Sequence, residues 1–82
     1  VVQKWNPVAR QYEAYTPPAG YITLHETDMD KPINCARCGK QITFGEGYSS
    51  LQIHNGMGVG YSVCESCYDA ELKEELRYRS NV

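Results

Sequence analysis

Long apolar runs are absent from this 82-residue chain, and aromatic residues other than tyrosine are scarce: a single Phe44 and a single Trp5 stand beside seven tyrosines. No stretch approaches the ~20 apolar residues that a membrane-spanning helix needs. The opening Val1-Val2-Gln3-Lys4-Trp5 lacks the apolar stretch of a secretory signal, so the expected setting is cytoplasmic and reducing, away from a membrane. An excess of basic charge is also missing. Eight Lys+Arg face ten Asp+Glu, a formal net charge of −2, which disfavours a polyanion as the main partner. Only 41% of residues are hydrophobic, and that count includes the tyrosines. A single small domain built from this composition needs a staple beyond its apolar core.

What the chain does have is four cysteines in two pairs, Cys35-Ala36-Arg37-Cys38 and Cys64-Glu65-Ser66-Cys67, with 25 residues between them. Each C-x2-C brings two thiolates to one point, and the intervening chain is long enough to go out and return. Four sulfurs can then close a tetrahedron around one Zn²⁺. Such a site contributes on the order of 10 kcal/mol to folding at neutral pH, which supplies the missing staple. Two disulfides are the alternative use of four cysteines, in an oxidising compartment. A thioredoxin-like dithiol would need a βαβ setting that this chain is too short to build.

Local patterns place these pairs on elements. Residues 1–16 alternate around Asn6-Pro7, a turn signal, and predict a β-hairpin whose aromatic face needs a cover. Thr16-Pro17-Pro18-Ala19-Gly20 ends it, Tyr21–His25 is β-prone, and residues 26–32 form a polar connection. Cys35–Lys40 reads as a knuckle in which backbone N–H groups point at the sulfurs and Gly39 takes a left-handed conformation. Residues 48–53 and 59–63 read as the arms of a second hairpin, with residues 54–58 as its tip. From Glu65 the period becomes helical: Tyr68, Leu72 and Leu76 form one apolar stripe towards the core, with Glu65 and Asp69 early and Arg77 and Arg79 late.

The order of knuckle, hairpin and C-x2-C at a helix start resembles the treble-clef zinc finger. The resemblance runs from about Ile33 to Arg79 on the motif Cys35-x-x-Cys38-Gly39 followed by Cys64-x-x-Cys67-Tyr68. It implies a small α+β, metal-stabilised fold in residues 31–82, with one structural Zn²⁺ on Cys35, Cys38, Cys64 and Cys67. Residues 1–30 lie outside it as an N-terminal β-hairpin extension. Rubredoxin, an iron carrier, also uses two C-x2-C pairs but repeats a glycine-bearing knuckle, whereas here Cys67 runs into Tyr68-Asp69-Ala70.

Catalysis is not expected. Four cysteines close the metal shell, whereas catalytic zinc keeps an open position. His25 and His54 read as exposed or satisfied by one hydrogen bond, and Glu71, Glu74 and Glu75 as a solvated helix face; no nucleophile, base and oxyanion hole assemble. The glycine-rich loop at residues 55–61 lacks the Lys-Ser/Thr of a phosphate loop and reads as hairpin geometry, with Met57 an adaptable apolar contact. Aromatic residues with polar tips dominate interface hot spots, so the expected role is a protein-interaction adaptor or small regulator contacting its partner through Trp5, Tyr12, Tyr15 and Met57. The alternative is a finger for RNA or single-stranded DNA, with stacking tyrosines and a small patch of Arg10, Lys31, Arg37 and Lys40. The last six residues bring only Arg77 and Arg79, little for counterion release to act on.

Overall fold

The computed structural model describes the backbone of residues 2–79 and the side chains of residues 2–74. Strands β1 (Gln3–Asn6) and β2 (Gln11–Ala14) form the first hairpin, and β3 (Pro32–Asn34) and β4 (Gln41–Thr43) bracket the first cysteine pair. A short 3₁₀ turn, Phe44–Glu46, leads into β5 (Tyr48–His54), followed by β6 (Gly60–Val63) and helix α1 (Glu65–Arg79). Two antiparallel sheets result, one of four strands in the order β2-β1-β5-β6 and one of two, β3-β4. The fold is therefore a small mixed one, with α1 as its C-terminal helix packed against β5.

The first hairpin forms where Asn6-Pro7 signals it. Asn6 Oδ1 accepts from the N–H groups of Val8 and Ala9 at 3.0 and 3.1 Å, and Arg10 closes the turn at φ 56°. Trp5 and Tyr12 face each other across the strands. The hairpin joins the rest of the molecule edge to edge, because Gln3 and Lys4 pair with His54 and Ile53 of β5, while β2 stays exposed. One sheet thus crosses residue 30 and joins the first hairpin to the cysteine-bearing part.

The β-prone stretch Tyr21–His25 is extended without entering a strand ladder. Its carbonyls serve as single anchors: Tyr21 O accepts from Asn34 N–H at 2.6 Å and Thr23 O from Ser62 N–H at 3.1 Å. The second hairpin forms as the pattern predicts, and Asn55 holds its tip by accepting from Met57 and Val59 N–H at 2.8 and 3.0 Å. Gly60 is required there, since a Cβ would collide with the backbone of Ser50.

The helix buries a different face from the predicted stripe. Tyr68 packs inward, stacked on Tyr48 with ring centroids 4.9 Å apart, but Leu72 is exposed. The inward positions belong to Glu71, which is fully buried, and Glu74, which is half-buried, so neither lies on a solvated face. The expected placements of Leu76 and Glu75, and the basic tail at Arg77 and Arg79, lie outside the described side chains.

A β-bulge explains the substitution of acid for leucine. Pairing between β5 and β6 shifts register between Ser49 and His54, which leaves backbone donors that need acceptors. Glu71 supplies one acceptor, taking the Ser50 hydroxyl at 2.6 Å and Leu51 N–H at 3.1 Å, while Ser50 Oγ accepts from Gln52 and Ile53 N–H. The helix is pinned to the strand by polar bonds in a molecule with little apolar material to spare. We predict that Glu71→Ala lowers the unfolding free energy by roughly 2–3 kcal/mol, because Leu51 N–H and Ser50 lose their buried acceptor. Lys73→Ala on the exposed face should stay within about 0.5 kcal/mol. Denaturant unfolding of both variants measures the contrast.

Candidate metal centre

The four cysteines arrive from three elements. Cys35 and Cys38 occupy the turn between β3 and β4, where Cys35 N–H donates to Lys40 O at 2.8 Å and Gly39 N–H to Cys35 O at 2.9 Å. Gly39 sits at φ 81°, the left-handed conformation expected of it, and an added Cβ would stand 3.0 Å from Pro18. Cys64 stands between β6 and α1, its carbonyl accepting from Tyr68 N–H at 2.9 Å to start the helix, and Cys67 lies in the first turn of that helix. The β5–β6 hairpin carries the second pair back to the first, with Ala36 N–H bonded to Ser62 O at 3.0 Å.

All four Sγ atoms lie within 4.8 Å of one another. All four thiols are free, so the two-disulfide alternative is not what this chain adopts. Cys38 Sγ is 3.7 Å from Cys64 Sγ, close to the edge of about 3.8 Å for four thiolates each ~2.3 Å from one tetrahedral ion. The donor set fits a four-coordinate ion that favours sulfur. Neither His25, which is exposed, nor His54 joins the cluster.

Electrostatics within the cluster point the same way. Burial would raise the Cys35 thiol, but hydrogen bonds from backbone N–H groups outweigh it and bring the group down to about 7. Two of those donors are Arg37 and Cys38 N–H, at 3.3 and 3.4 Å from the sulfur. Cys67 is pushed far up by burial and by the neighbouring sulfurs, and Cys38 is raised chiefly by burial. One thiolate forms readily and its neighbours resist a second negative charge, which is the condition a divalent cation relieves.

Arg37, between the first two cysteines, clamps the knuckle to the helix. Its guanidinium donates to Cys67 O at 3.4 Å and to Glu74 Oε1 at 2.9 Å, and Glu74 Oε2 accepts from Gln52 Nε2 at 2.8 Å. Burial opposes ionisation of Glu74, yet the bonds from Gln52 and Arg37 hold its carboxyl below the usual carboxylate range. Sequence reasoning placed Arg37 in a basic patch and missed this role; the signal was available in its position inside the C-x2-C, facing a helix rich in acid. Tyr15 reaches the knuckle from the other side, its hydroxyl donating to Ala36 O at 3.1 Å and Arg37 O at 3.3 Å. Burial, and next the negative charge of Cys35, raise its pKa.

The other residues expected to touch a partner lie apart from the cluster. Trp5 is half-buried and meets Tyr12 edge-on at 5.1 Å, and Tyr12 meets His54 edge-on at 5.5 Å. Met57, at the hairpin tip, is 88% exposed. Trp5 and Tyr12 are thus brought together, Tyr15 is tied to the knuckle, and Met57 stands on a separate turn.

No protein-family model, curated protein or solved structure matches this chain. No helix among the described residues is long and apolar enough to cross a membrane. Because Arg37 joins the two cysteine pairs from outside the sulfur cluster, Arg37→Met should weaken Zn²⁺ binding by about tenfold or more, in line with outer-shell partners elsewhere. Competition against a chromophoric chelator reads this directly.

Proposed function

We propose that this chain is a non-enzymatic structural-zinc module of the treble-clef type, acting as a protein-interaction adaptor or small regulator. The observation that carries the reading is the convergence of Cys35, Cys38, Cys64 and Cys67 within 4.8 Å, at the meeting point of knuckle, hairpin and helix. A treble clef has that order of elements. A four-thiolate shell leaves no coordination position for a substrate, so the ion's contribution is to folding. A reducing cytoplasm would keep the thiols available for it.

The adaptor role rests on what the metal-centred fold leaves outside. The Trp5–Tyr12–His54 row runs across β1, β2 and β5, and Tyr12 is 46% exposed. Aromatic groups with polar tips on a rigid sheet suit a protein interface. A nucleic-acid partner is the weaker reading, because Arg37 is engaged by Glu74 and the chain is net negative.

Metal analysis of the purified protein should find one zinc per chain. Affinity capture in about 0.5 M salt should retain a protein partner, since apolar contacts are not screened. Trp5→Ala and Tyr12→Ala should each weaken that complex by more than about 1 kcal/mol while zinc content stays unchanged. Capture of RNA or single-stranded DNA that is lost with added salt would replace the adaptor by the nucleic-acid reading. Iron in place of zinc would overturn the metal assignment.

A further inference from the structure

Strand β2 is the outer strand of the four-stranded sheet, and each of its residues, Gln11, Tyr12, Glu13 and Ala14, is exposed. The ladder fixes which of its backbone groups are free. Tyr15 N–H donates to Val2 O at 3.1 Å, making Val2 and Tyr15 a hydrogen-bonded pair. Alternation along an antiparallel ladder then makes Lys4–Glu13 and Asn6–Gln11 hydrogen-bonded pairs and leaves Gln3–Ala14 and Trp5–Tyr12 as the others. The N–H and C=O groups of Tyr12 and Ala14 therefore point away from β1.

The other rim of the sheet is closed by the protein itself. On β6, Ser62 N–H donates to Thr23 O at 3.1 Å and Ser62 O accepts from Ala36 N–H at 3.0 Å. Open edges are usually blunted by proline, a bulge, short length or charge; β2 has no proline and no bulge against β1, and carries only its four-residue length and the single charge of Glu13.

Glu13 selects what can pair there. An antiparallel strand that satisfies both Tyr12 and Ala14 sets one residue directly opposite Glu13 in a non-hydrogen-bonded pair, with Cβ atoms about 4.5–5.5 Å apart. For a second copy paired about a two-fold axis in that register, this residue is Glu13 itself, and two facing carboxylates repel. A cation is the complementary choice. Glu13 Oε1 accepts from Asn6 Nδ2 at 3.1 Å, and among the described residues no cation forms an ion pair with it. Its cross-strand neighbour Lys4 lies over the Tyr15 ring, with Nζ 5.6 Å from the centroid. Residues flanking the incoming cation would share the face of Tyr12 and its aromatic row.

We propose that the open edge of β2 receives an extended segment of another protein, with Lys or Arg opposite Glu13 and β-branched or aromatic residues on either side of it. This deepens the adaptor reading and rests on it. The test is selection of a random heptapeptide display library on the zinc-loaded full chain. Enriched peptides should alternate β-branched or aromatic residues with Lys or Arg. A synthetic peptide from that set should bind Ala14→Pro about tenfold more weakly, the equivalent of one or two hydrogen bonds. Proline at Ala14 removes an outward N–H and no ladder bond, and zinc content and the melting curve verify its fold. Glu13→Lys, at an exposed position, is the second variant and should shift selection towards acidic peptides.

Selection without a basic preference, or binding unchanged by Glu13→Lys, overturns the proposal. Concentration-dependent dimerisation lost in Ala14→Pro would make a second copy the occupant and also overturns it. A captured partner whose binding survives both substitutions would leave the adaptor reading standing and refute this one alone.

Discussion

Four sulfur atoms within 4.8 Å of one another pose an electrostatic problem on which the whole structure turns. In a partly buried pocket they cannot all ionise without mutual repulsion, and backbone donors already favour the thiolate at Cys35. A divalent cation bound there would resolve the conflict and at the same time tie together two stretches of chain separated by 25 residues. The buried apolar core shows why this matters: among the described residues Ile33, Cys35, Ala36, Ile53, Val63 and Cys64 make it up, and two of those six belong to the sulfur cluster. Removing the tie would leave too little buried surface to offset the entropy of ordering the chain.

Polar bonds carry much of what remains. Thr23, Ser50, Gln52, Ser62 and Glu71 are buried alongside the apolar residues. Glu71 holds the bulged β5 to the helix, and Arg37 with Glu74 and Gln52 holds the knuckle to the same helix. The Arg37 set also bonds Cys67 O, so the geometry of the cysteine cluster and the position of the helix are linked. The tyrosines that exceed the needs of a small core find their places here too: Tyr15 caps the knuckle carbonyls and Tyr68 stacks on Tyr48.

Much of this was legible in the order of residues, where a local rule had no competitor. The cysteine spacing, the Asn6-Pro7 turn, the left-handed Gly39 and the β5–β6 hairpin all depend on neighbours in sequence. The helix face was misread because periodicity assigns leucine inward and glutamate outward, and it cannot register a β-bulge whose free N–H groups require a carboxylate from 20 residues away. Tyr21–His25 misleads for a related reason: β-propensity is present, but the adjoining edges are taken by single anchors at Asn34 and Ser62. Arg37 looked like part of a basic patch because its partner, Glu74, lies 37 residues further along. Long-range polar pairing, more than hydrophobic pattern, decides these positions, and it leaves the weakest trace in sequence.

The central claim is that one ion bound by four thiolates makes the fold. Amide NMR of the reduced, metal-stripped chain during titration with Zn²⁺ tests it most directly. The account predicts a poorly dispersed spectrum that converts to a dispersed one as zinc approaches one equivalent, and no conversion for Cys64→Ser. A dispersed, cooperatively melting spectrum in the complete absence of metal would contradict it.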